Sequence, residues 1–132
     1  MEIITHSTQE TKGFANKLAK DIKLGSVVAL YGDLGSGKTT FTRFLVEALG
    51  EKKRVQSPTF VIARRYGKVN HIDLYRLTSK KEVEDLGFEE MIGDKDTISI
   101  VEWPELAEDL LPKDTLRIYF KYVDENTRRI KI

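Results

Sequence analysis

The chain has 132 residues, 40% of them hydrophobic, and this length and composition suit one domain with an ordinary core. Its 22 basic and 21 acidic residues leave a formal charge of +1, which gives no case for bulk binding to nucleic acid or an anionic membrane. Cysteine is absent, so a disulfide scaffold and a thiolate metal site are excluded. Because no apolar run approaches the ~20 residues of a membrane span and no signal-peptide core begins the chain, we expect a cytoplasmic protein without membrane contact.

The first predicted elements are a short strand at residues 2–5 and an amphipathic helix. Residues 7–10 read Ser-Thr-Gln-Glu, a capping box whose Ser and Glu side chains satisfy free N–H groups at a helix start. One apolar stripe then predicts that the helix continues to about residue 22; its members are Phe14, Ala15, Leu18, Ala19 and Ile22.

Residues 27–40 carry the most informative pattern in the chain. An uninterrupted apolar run, Val27–Tyr31, predicts a strand buried on both faces. Two glycines five residues apart, followed by Lys and Thr, then fit the P-loop pattern at Gly32, Gly37, Lys38 and Thr39. Helical spacing of apolar residues follows at Phe41, Phe44, Leu45, Ala48 and Leu49. Strand, glycine loop and helix together predict a site for nucleotide phosphates.

The residue types of this loop suit that chemistry. Glycines let the backbone N–H groups approach a phosphate chain closely, and the N-terminus of the next helix adds partial positive charge. Lys38 is predicted to reach the β- and γ-phosphates, and Thr39 to place its hydroxyl on Mg²⁺. The predicted phosphate-binding residues are Asp33, Leu34, Gly35, Ser36, Gly37, Lys38, Thr39 and Thr40.

The second half of the chain predicts more strands than helices. The expected elements, in order, are a strand at 59–66, a turn at 67–68, a strand at 69–75, a capped short helix from 79, a strand at 97–101, a helix from Pro104 to about 111, and a hairpin of strands 114–123 and 128–132. Antiparallel pairs beside a buried P-loop strand imply an α/β fold: a mixed, mainly parallel sheet flanked by helices.

Two acids qualify as partners of the loop in hydrolysis. Glu102 follows an apolar strand at its C-terminal edge, where sites of open α/β sheets gather. Asp73 lies on a predicted strand between apolar residues. A P-loop ATPase needs such carboxylates to orient Mg²⁺ or the attacking water, and we therefore predict that Lys38, Asp73 and Glu102 are catalytic.

The other candidates have plainer interpretations. A lone histidine such as His71 is usually structural, and two histidines in the chain do not make a metal site. Trp103 fits a core residue as well as a lid beside a nucleotide. Ser57 and Thr59, held by Pro58, fit a strand-entry turn as well as a loop that contacts a γ-phosphate.

Four motifs in order resemble one family. They read GDLGSGKTT at 32–40, SPTF at 57–60, HIDLYRL at 71–77 and VEWPE at 101–105. The first is shared by many P-loop proteins, whereas the last three together are specific. Nearly the whole chain resembles the TsaE (YjeE) family, the small ATPases needed for threonylcarbamoyladenosine modification of tRNA.

This resemblance implies a P-loop NTPase fold, ATP and Mg²⁺ as cofactors, and partners. The partners would be the TsaB and TsaD subunits, which transfer the threonylcarbamoyl group to adenosine 37, with tRNA contact weak or indirect. It also implies roles for residues: Thr39 and Glu102 on the magnesium side, Asp73 as the acid of hydrolysis, residues 57–59 as a switch-like segment, and Trp103, Arg128 and Thr8 near the nucleotide. With no identifiable arginine finger, we expect slow turnover.

Three alternative functions predict different features of the sequence. A small-molecule or nucleotide kinase uses the same loop but usually has an arginine-rich lid, whereas the long non-core segment here, 78–96, is acidic. A signalling GTPase fits less well, because no Asp-x-x-Gly follows the loop and Asn16-Lys17 lacks the guanine-reading Asp. The third alternative is a non-catalytic module that uses nucleotide only as a structural ligand.

Overall fold

A computed structural model describes residues 1–51 and 62–132 as five helices and seven strands. The strands are β1 (Glu2–Thr5), β2 (Val27–Tyr31), β3 (Ala63–Tyr66), β4 (Val69–Asp73), β5 (Ile98–Glu102), β6 (Leu116–Tyr122) and β7 (Arg128–Lys131). The helices are α1 (Thr8–Ala19), α2 (Lys38–Ala48), α3 (Lys80–Asp85), α4 (Phe88–Ile92) and a 3₁₀ helix, η1 (Pro104–Leu110).

All seven strands form a single sheet in the order β1-β7-β6-β2-β5-β4-β3. The four central strands, β6, β2, β5 and β4, run parallel to one another. Antiparallel pairs close both sides: β3 with β4, and β1 and β6 with β7. This confirms the predicted mixed α/β sheet with a C-terminal hairpin, and it places the P-loop strand β2 at the centre.

Helices pack on both faces of the sheet. Alternate side chains along its central strands point to opposite faces, so the sheet contributes to two separate hydrophobic clusters. On one face Leu30, Ile100 and Ile118 pack in a buried cluster with Phe41 and Leu45 of α2. On the other face, Val27, Ile72 and Val101 share a cluster with Val83, Phe88 and Ala107, which come from α3, α4 and η1. Strands β2 and β5 are thus buried on both sides, as the continuous apolar run of β2 predicts.

Both capping boxes begin their helices as predicted. Ser7 Oγ accepts the Glu10 N–H at 3.1 Å, and Ser79 Oγ accepts the Glu82 N–H at 3.2 Å. The acid of the first box accepts from the His6 N–H at 3.2 Å, one residue before the cap. At the C-terminus of α2, Gly50 follows the helix with φ +92°, the left-handed conformation of a helix-terminating glycine.

Two predicted boundaries were wrong. Helix α1 ends at Ala19 instead of residue 22, because the N–H groups of Asp21 and Ile22 bond three residues back and close a tighter turn. Strand β4 ends at Asp73 instead of Tyr75: Asp73 Oδ1 accepts the Tyr75 N–H at 3.0 Å, an Asx turn that leaves the ladder. The helix predicted from Pro104 to about residue 111 is present as the 3₁₀ helix η1.

Residues 52–61 lie outside the described part of the chain, and with them two predictions. These are the segment of Ser57, Pro58 and Thr59 and the first three residues of the strand predicted at 59–66. Within residues 1–51 and 62–132, no helix has the length and apolar character that crossing a membrane requires.

Candidate functional site

The candidate site lies at the carboxyl ends of the parallel strands, where open α/β sheets build their sites. In the sheet, Glu102 of β5 pairs with Leu30 of β2 on one side and with Asp73 of β4 on the other. The glycine loop, residues 32–37, leaves β2 at this edge and enters α2. Two acids from neighbouring strands therefore face the loop, although they are 29 residues apart in the chain.

Backbone geometry explains the loop's first and last glycines. At Gly32 φ is +148°, and a Cβ there would lie 2.6 Å from Ser36 Oγ and 2.7 Å from the Phe120 carbonyl oxygen. Gly37 caps α2 in the left-handed conformation with φ +105°. Neither position accepts a side chain without strain, and the open N-terminus of α2 presents free backbone N–H groups.

Lys38, the first residue of α2, is held inside the site. Its side chain is buried, its Nζ donates to the Gly32 carbonyl, and the ammonium lies 3.4 Å from the centre of the Trp103 ring. Burial lowers the pKa of Lys38, while the charges of Glu102, Glu105, Asp73 and Asp33 act in the opposite direction. Burial thus leaves the ammonium poorly hydrated, which strengthens its interaction with a ligand anion, while the acids favour its charged form.

Thr39, Glu102 and His71 form a buried chain of contacts. The Thr39 hydroxyl donates to Glu102 Oε1 at 3.1 Å, and Glu102 Oε2 contacts His71 Nε2. Glu102 is 2% exposed and His71 is fully buried. A carboxylate this deep is costly unless hydrogen-bond partners satisfy it, and here the side chains of Thr39 and His71 do so.

Asp73 lies beside this chain in a less buried position. Burial is the main factor that raises its pKa, and the neighbouring Glu102 charge adds to it. The Tyr75 N–H, His71 and Lys38 act the other way. Two acids on adjacent strands with one raised pKa are typical of sites that handle protons or metal-bound water.

The oxygen atoms of Thr39 and Glu102 suit a magnesium ion. Mg²⁺ prefers hard oxygen ligands and is usually held by one or two protein side chains together with substrate phosphates. The described residues contain no cluster of three or more His, Asp or Glu side chains able to hold a metal by themselves. The donor set therefore fits an ion that arrives with a phosphorylated ligand.

A cavity of about 440 Å³ gathers most of the predicted site residues. This volume lies within the range of small-molecule sites. Of the residues predicted from the sequence, those that line it are Leu34, Gly35, Gly37, Lys38, Thr39, Thr40, Asp73, Glu102, Trp103 and Arg128. Asp33 and Ser36 are not among the lining residues: the Asp33 carbonyl accepts the Ser36 N–H at 3.0 Å, and Ser36 is buried within the loop.

Thr8 lies in a smaller neighbouring cavity of about 60 Å³. Gly37, Thr40 and Arg128 line both cavities, so the two adjoin at the N-terminus of α2. The Arg128 guanidinium stands 4.8 Å from the Tyr122 ring and donates to the Asp124 and Thr127 carbonyls. The hairpin thus holds Arg128 over the boundary between the cavities.

Sequence reasoning missed four residues of the site. Ile62, Tyr75 and Arg76 line the larger cavity, and His71 contacts Glu102. The signal for Tyr75 and Arg76 was their place just after a strand that ends at the functional edge. Two arginines, Arg76 and Arg128, line the cavity although no arginine-finger motif marked them.

Comparison with known proteins identifies the family. The family model described as "Threonylcarbamoyl adenosine biosynthesis protein TsaE" matches residues 5–130. The chain belongs to the TsaE family. Relatives named tRNA threonylcarbamoyladenosine biosynthesis protein TsaE include one from Bacillus subtilis, 40% identical over 96% of this chain and 80% of its own length. One from Aquifex aeolicus is 38% identical over 99% of this chain and 94% of its own length.

A solved structure agrees with this membership. The crystal structure of Bacillus subtilis YdiB superposes with a TM-score of 0.80 at 33% identity, covering 98% of this chain and 82% of that one. Membership in the TsaE family links the chain to threonylcarbamoyladenosine biosynthesis in tRNA. Three of the four motifs that suggested the family fall within the described residues, and each contributes side chains to the larger cavity.

Proposed function

We propose that this TsaE family member binds ATP with Mg²⁺, hydrolyses it slowly, and thereby supports threonylcarbamoyl transfer to adenosine 37 of tRNA by a complex of TsaB and TsaD. The observation that supports this most is the convergence of Lys38, Thr39, Asp73 and Glu102 on one cavity. These are an ammonium, a hydroxyl and two carboxylates around a glycine loop at a helix N-terminus, the set that phosphate and magnesium need.

Each side chain has a distinct proposed role. The glycine loop and Lys38 bind the phosphate chain, and Thr39 and Glu102 hold the Mg²⁺, which when bound neutralises charge on the phosphates. Asp73 accepts a proton from, or orients, the attacking water; burial raises its pKa, which makes this carboxylate a better proton acceptor than an ordinary aspartate.

We assign the base to the smaller cavity. Thr8 and Arg128 line it, and it adjoins the loop at Gly37 and Thr40, so a nucleotide whose phosphates follow the loop could extend its base into it. The Arg128 guanidinium offers a planar surface for stacking. Contact with tRNA is proposed to be indirect, through the partner subunits, and the protein to act in the cytoplasm.

A kinase remains the second candidate, and one observation weighs against it. Kinases of small substrates close a mobile lid over the phosphate donor. The corresponding segment here, 78–96, forms α3 and α4, whose Val83, Phe88 and Ile92 are buried in the core. A segment anchored in this way is a poor lid, so ATP hydrolysis is the function that the geometry supports better.

Hydrolysis is tested by measuring phosphate release from ATP by the wild type and the variants Lys38→Ala, Asp73→Ala and Glu102→Ala. We expect each variant to lose about 100-fold in rate, since each removes a group that acts on the reacting phosphate, the metal or the water. Asp85→Ala, which removes an exposed acid from α3, is the matched control and should retain the wild-type rate. Wild-type rates in both acid variants would contradict the assignment.

The partner assignment needs a separate binding experiment. We expect immobilised TsaB–TsaD to retain the chain with ATP and to release it with ADP, because hydrolysis alters the surface around the cavity. Absence of binding under every nucleotide condition would overturn the role in transfer. Binding and function that survive in Asp73→Ala would instead support a nucleotide used only as a structural ligand.

A further inference from the structure

The imidazole of His71 is engaged on one side only. Its Nε2 contacts Glu102 Oε2, whereas its Nδ1 is buried and has no hydrogen-bond partner within residues 1–51 and 62–132. Buried histidines that serve only packing usually satisfy both ring nitrogens, because an unpaired polar atom in the core lowers stability. The hydrogen bonding of this ring is therefore directed entirely at the acid of the site.

The direction of the contact follows from the chemistry of the two groups. A carboxylate that binds a metal ion is ionised and can only accept, so in that state Nε2 is the donor. With Oε2 occupied by His71, the other oxygen, Oε1, faces the Thr39 hydroxyl at 3.1 Å. The same hydroxyl lies 3.4 Å from Oε2, so Thr39 and His71 together restrict the orientation of the Glu102 carboxylate.

Strand pairing explains how His71 reaches this place. On β4, His71 and Asp73 are two residues apart and lie on the same face, while Ile72 packs in the opposite core. On the neighbouring strand β5, Glu102 pairs with Asp73, so His71 stands one step deeper along the same face. It is fully buried, beneath the acid and out of reach of the cavity lining.

We propose that His71 is a positioning residue for magnesium, which holds Glu102 so that Oε1 and the Thr39 oxygen face the ion together. The proposal rests on the proposed function, since it assigns a role toward the Mg²⁺ that would accompany ATP. Partners that orient a metal ligand in this way typically change metal affinity by about 10- to 100-fold. His71 touches neither ATP nor the reacting atoms.

The test measures metal dependence at equilibrium, without turnover. A fluorescent, non-hydrolysable ATP analogue is titrated into the wild type, His71→Met and His71→Gln, first with EDTA and then with increasing Mg²⁺. Methionine fills the space without a donor, whereas the glutamine amide returns an N–H near the position of Nε2. We expect His71→Met to raise the Mg²⁺ concentration at half-effect by about tenfold or more, with unchanged affinity in EDTA. His71→Gln should recover most of that loss.

Controls separate positioning from loss of folding. Ile72→Ala removes a neighbouring buried side chain on the opposite face and should leave the Mg²⁺ half-effect at the wild-type value. In a Glu102→Gln background, His71→Met should produce no further change, because the group that it positions has been altered. Should His71→Met not fold, the comparison of His71→Gln with wild type, alone and in that background, still measures the coupling.

Two failures are distinguishable. A wild-type chain that binds no ATP analogue would overturn the proposed function itself. If the wild type binds with a clear Mg²⁺ effect, while His71→Met keeps the same half-effect or weakens binding equally in EDTA, the role of His71 is overturned and the proposed function stands.

Discussion

Asp73 illustrates how one carboxyl group can serve chemistry at the expense of stability. Burial and the neighbouring Glu102 raise its pKa in the folded chain. A raised pKa means that the fold favours the protonated form, so the ionised form lowers the free energy of unfolding at neutral pH. This penalty is absent below the unfolded pKa of about 4 and grows as the pH rises through the folded value.

We therefore predict that Asp73→Asn stabilises the ligand-free protein at pH 7, by on the order of 0.5–1 kcal/mol after solvent screening of this half-buried group, while it lowers the rate of hydrolysis about 100-fold. Asparagine keeps an oxygen that can accept the Tyr75 N–H, now bonded to Asp73 Oδ1 at 3.0 Å. Urea unfolding of both proteins between pH 4 and pH 8 measures the difference. It should shrink as the pH falls toward 4, and a difference of constant size would contradict the electrostatic cause.

At the scale of single elements, the space around a glycine determines whether its replacement by alanine raises or lowers the free energy of unfolding. Gly13 lies in the middle of α1, is exposed, and has no atom within 4 Å of an added Cβ. Alanine there loses less chain entropy on folding, so Gly13→Ala should raise the free energy of unfolding by about 0.5–1 kcal/mol. Chemical denaturation checks this, and nucleotide affinity should stay at the wild-type value. A destabilised variant would contradict the helical environment of Gly13.

Gly32 should respond in the opposite direction. Its added Cβ would meet the Phe120 carbonyl oxygen at 2.7 Å, a backbone atom of β6 that cannot turn aside. We predict that Gly32→Ala lowers the free energy of unfolding by about 2 kcal/mol or more and weakens ATP binding, because the loop must move. Gly35→Ala is the matched control: it also has positive φ, +80°, but open space around its Cβ, and should cost only about 1–2 kcal/mol. Equal losses at both positions would exclude the close approach as the cause.

Elements were predictable where local chemistry determined them. A continuous apolar run marked β2, a strongly apolar segment marked β5, and the Ser-x-x-Glu boxes marked the starts of α1 and α3. The ends of the elements were not predictable, because they depend on individual hydrogen bonds that a pattern of apolar residues does not describe. Strand β4 stops where the Asp73 side chain caps the Tyr75 N–H, two residues before its apolar pattern ends.

For the molecule as a whole, the candidate site was predictable to the extent that it follows from sheet topology. Both acids follow or end apolar strands, and the carboxyl ends of parallel strands share an edge, so the glycine loop, Asp73 and Glu102 were expected to meet. The link between His71 and Glu102 was not predictable, because it depends on which strand lies beside β5 and in which register. The joint cavity of Thr8 and Arg128 likewise depends on β7 pairing with β1, which joins the two ends of the chain.

The glycine loop connects elements that pack in both hydrophobic clusters, so a ligand bound to the loop depends on the folded state of the whole domain. It connects β2, buried on both faces, to α2, which packs in one of the clusters, while the acids opposite it stand on β4 and β5. A ligand that bridges the loop and these strands binds only the folded chain and stabilises it by mass action. At an ATP concentration 100 times its Kd, with Mg²⁺, the gain is about 2.7 kcal/mol.

For a chain of 132 residues this gain predicts a rise in Tm of roughly 10 °C, measured by scanning calorimetry. Lys38→Ala at the same ATP concentration should show little of that rise, because it lacks the ammonium that binds the phosphates. ATP without Mg²⁺ should give a smaller rise than MgATP, since Thr39 and Glu102 then contribute no metal contact. If MgATP and ATP in EDTA raise the Tm of the wild type equally, the buried acid does not bind the ion, and the metal side of the proposed site is wrong.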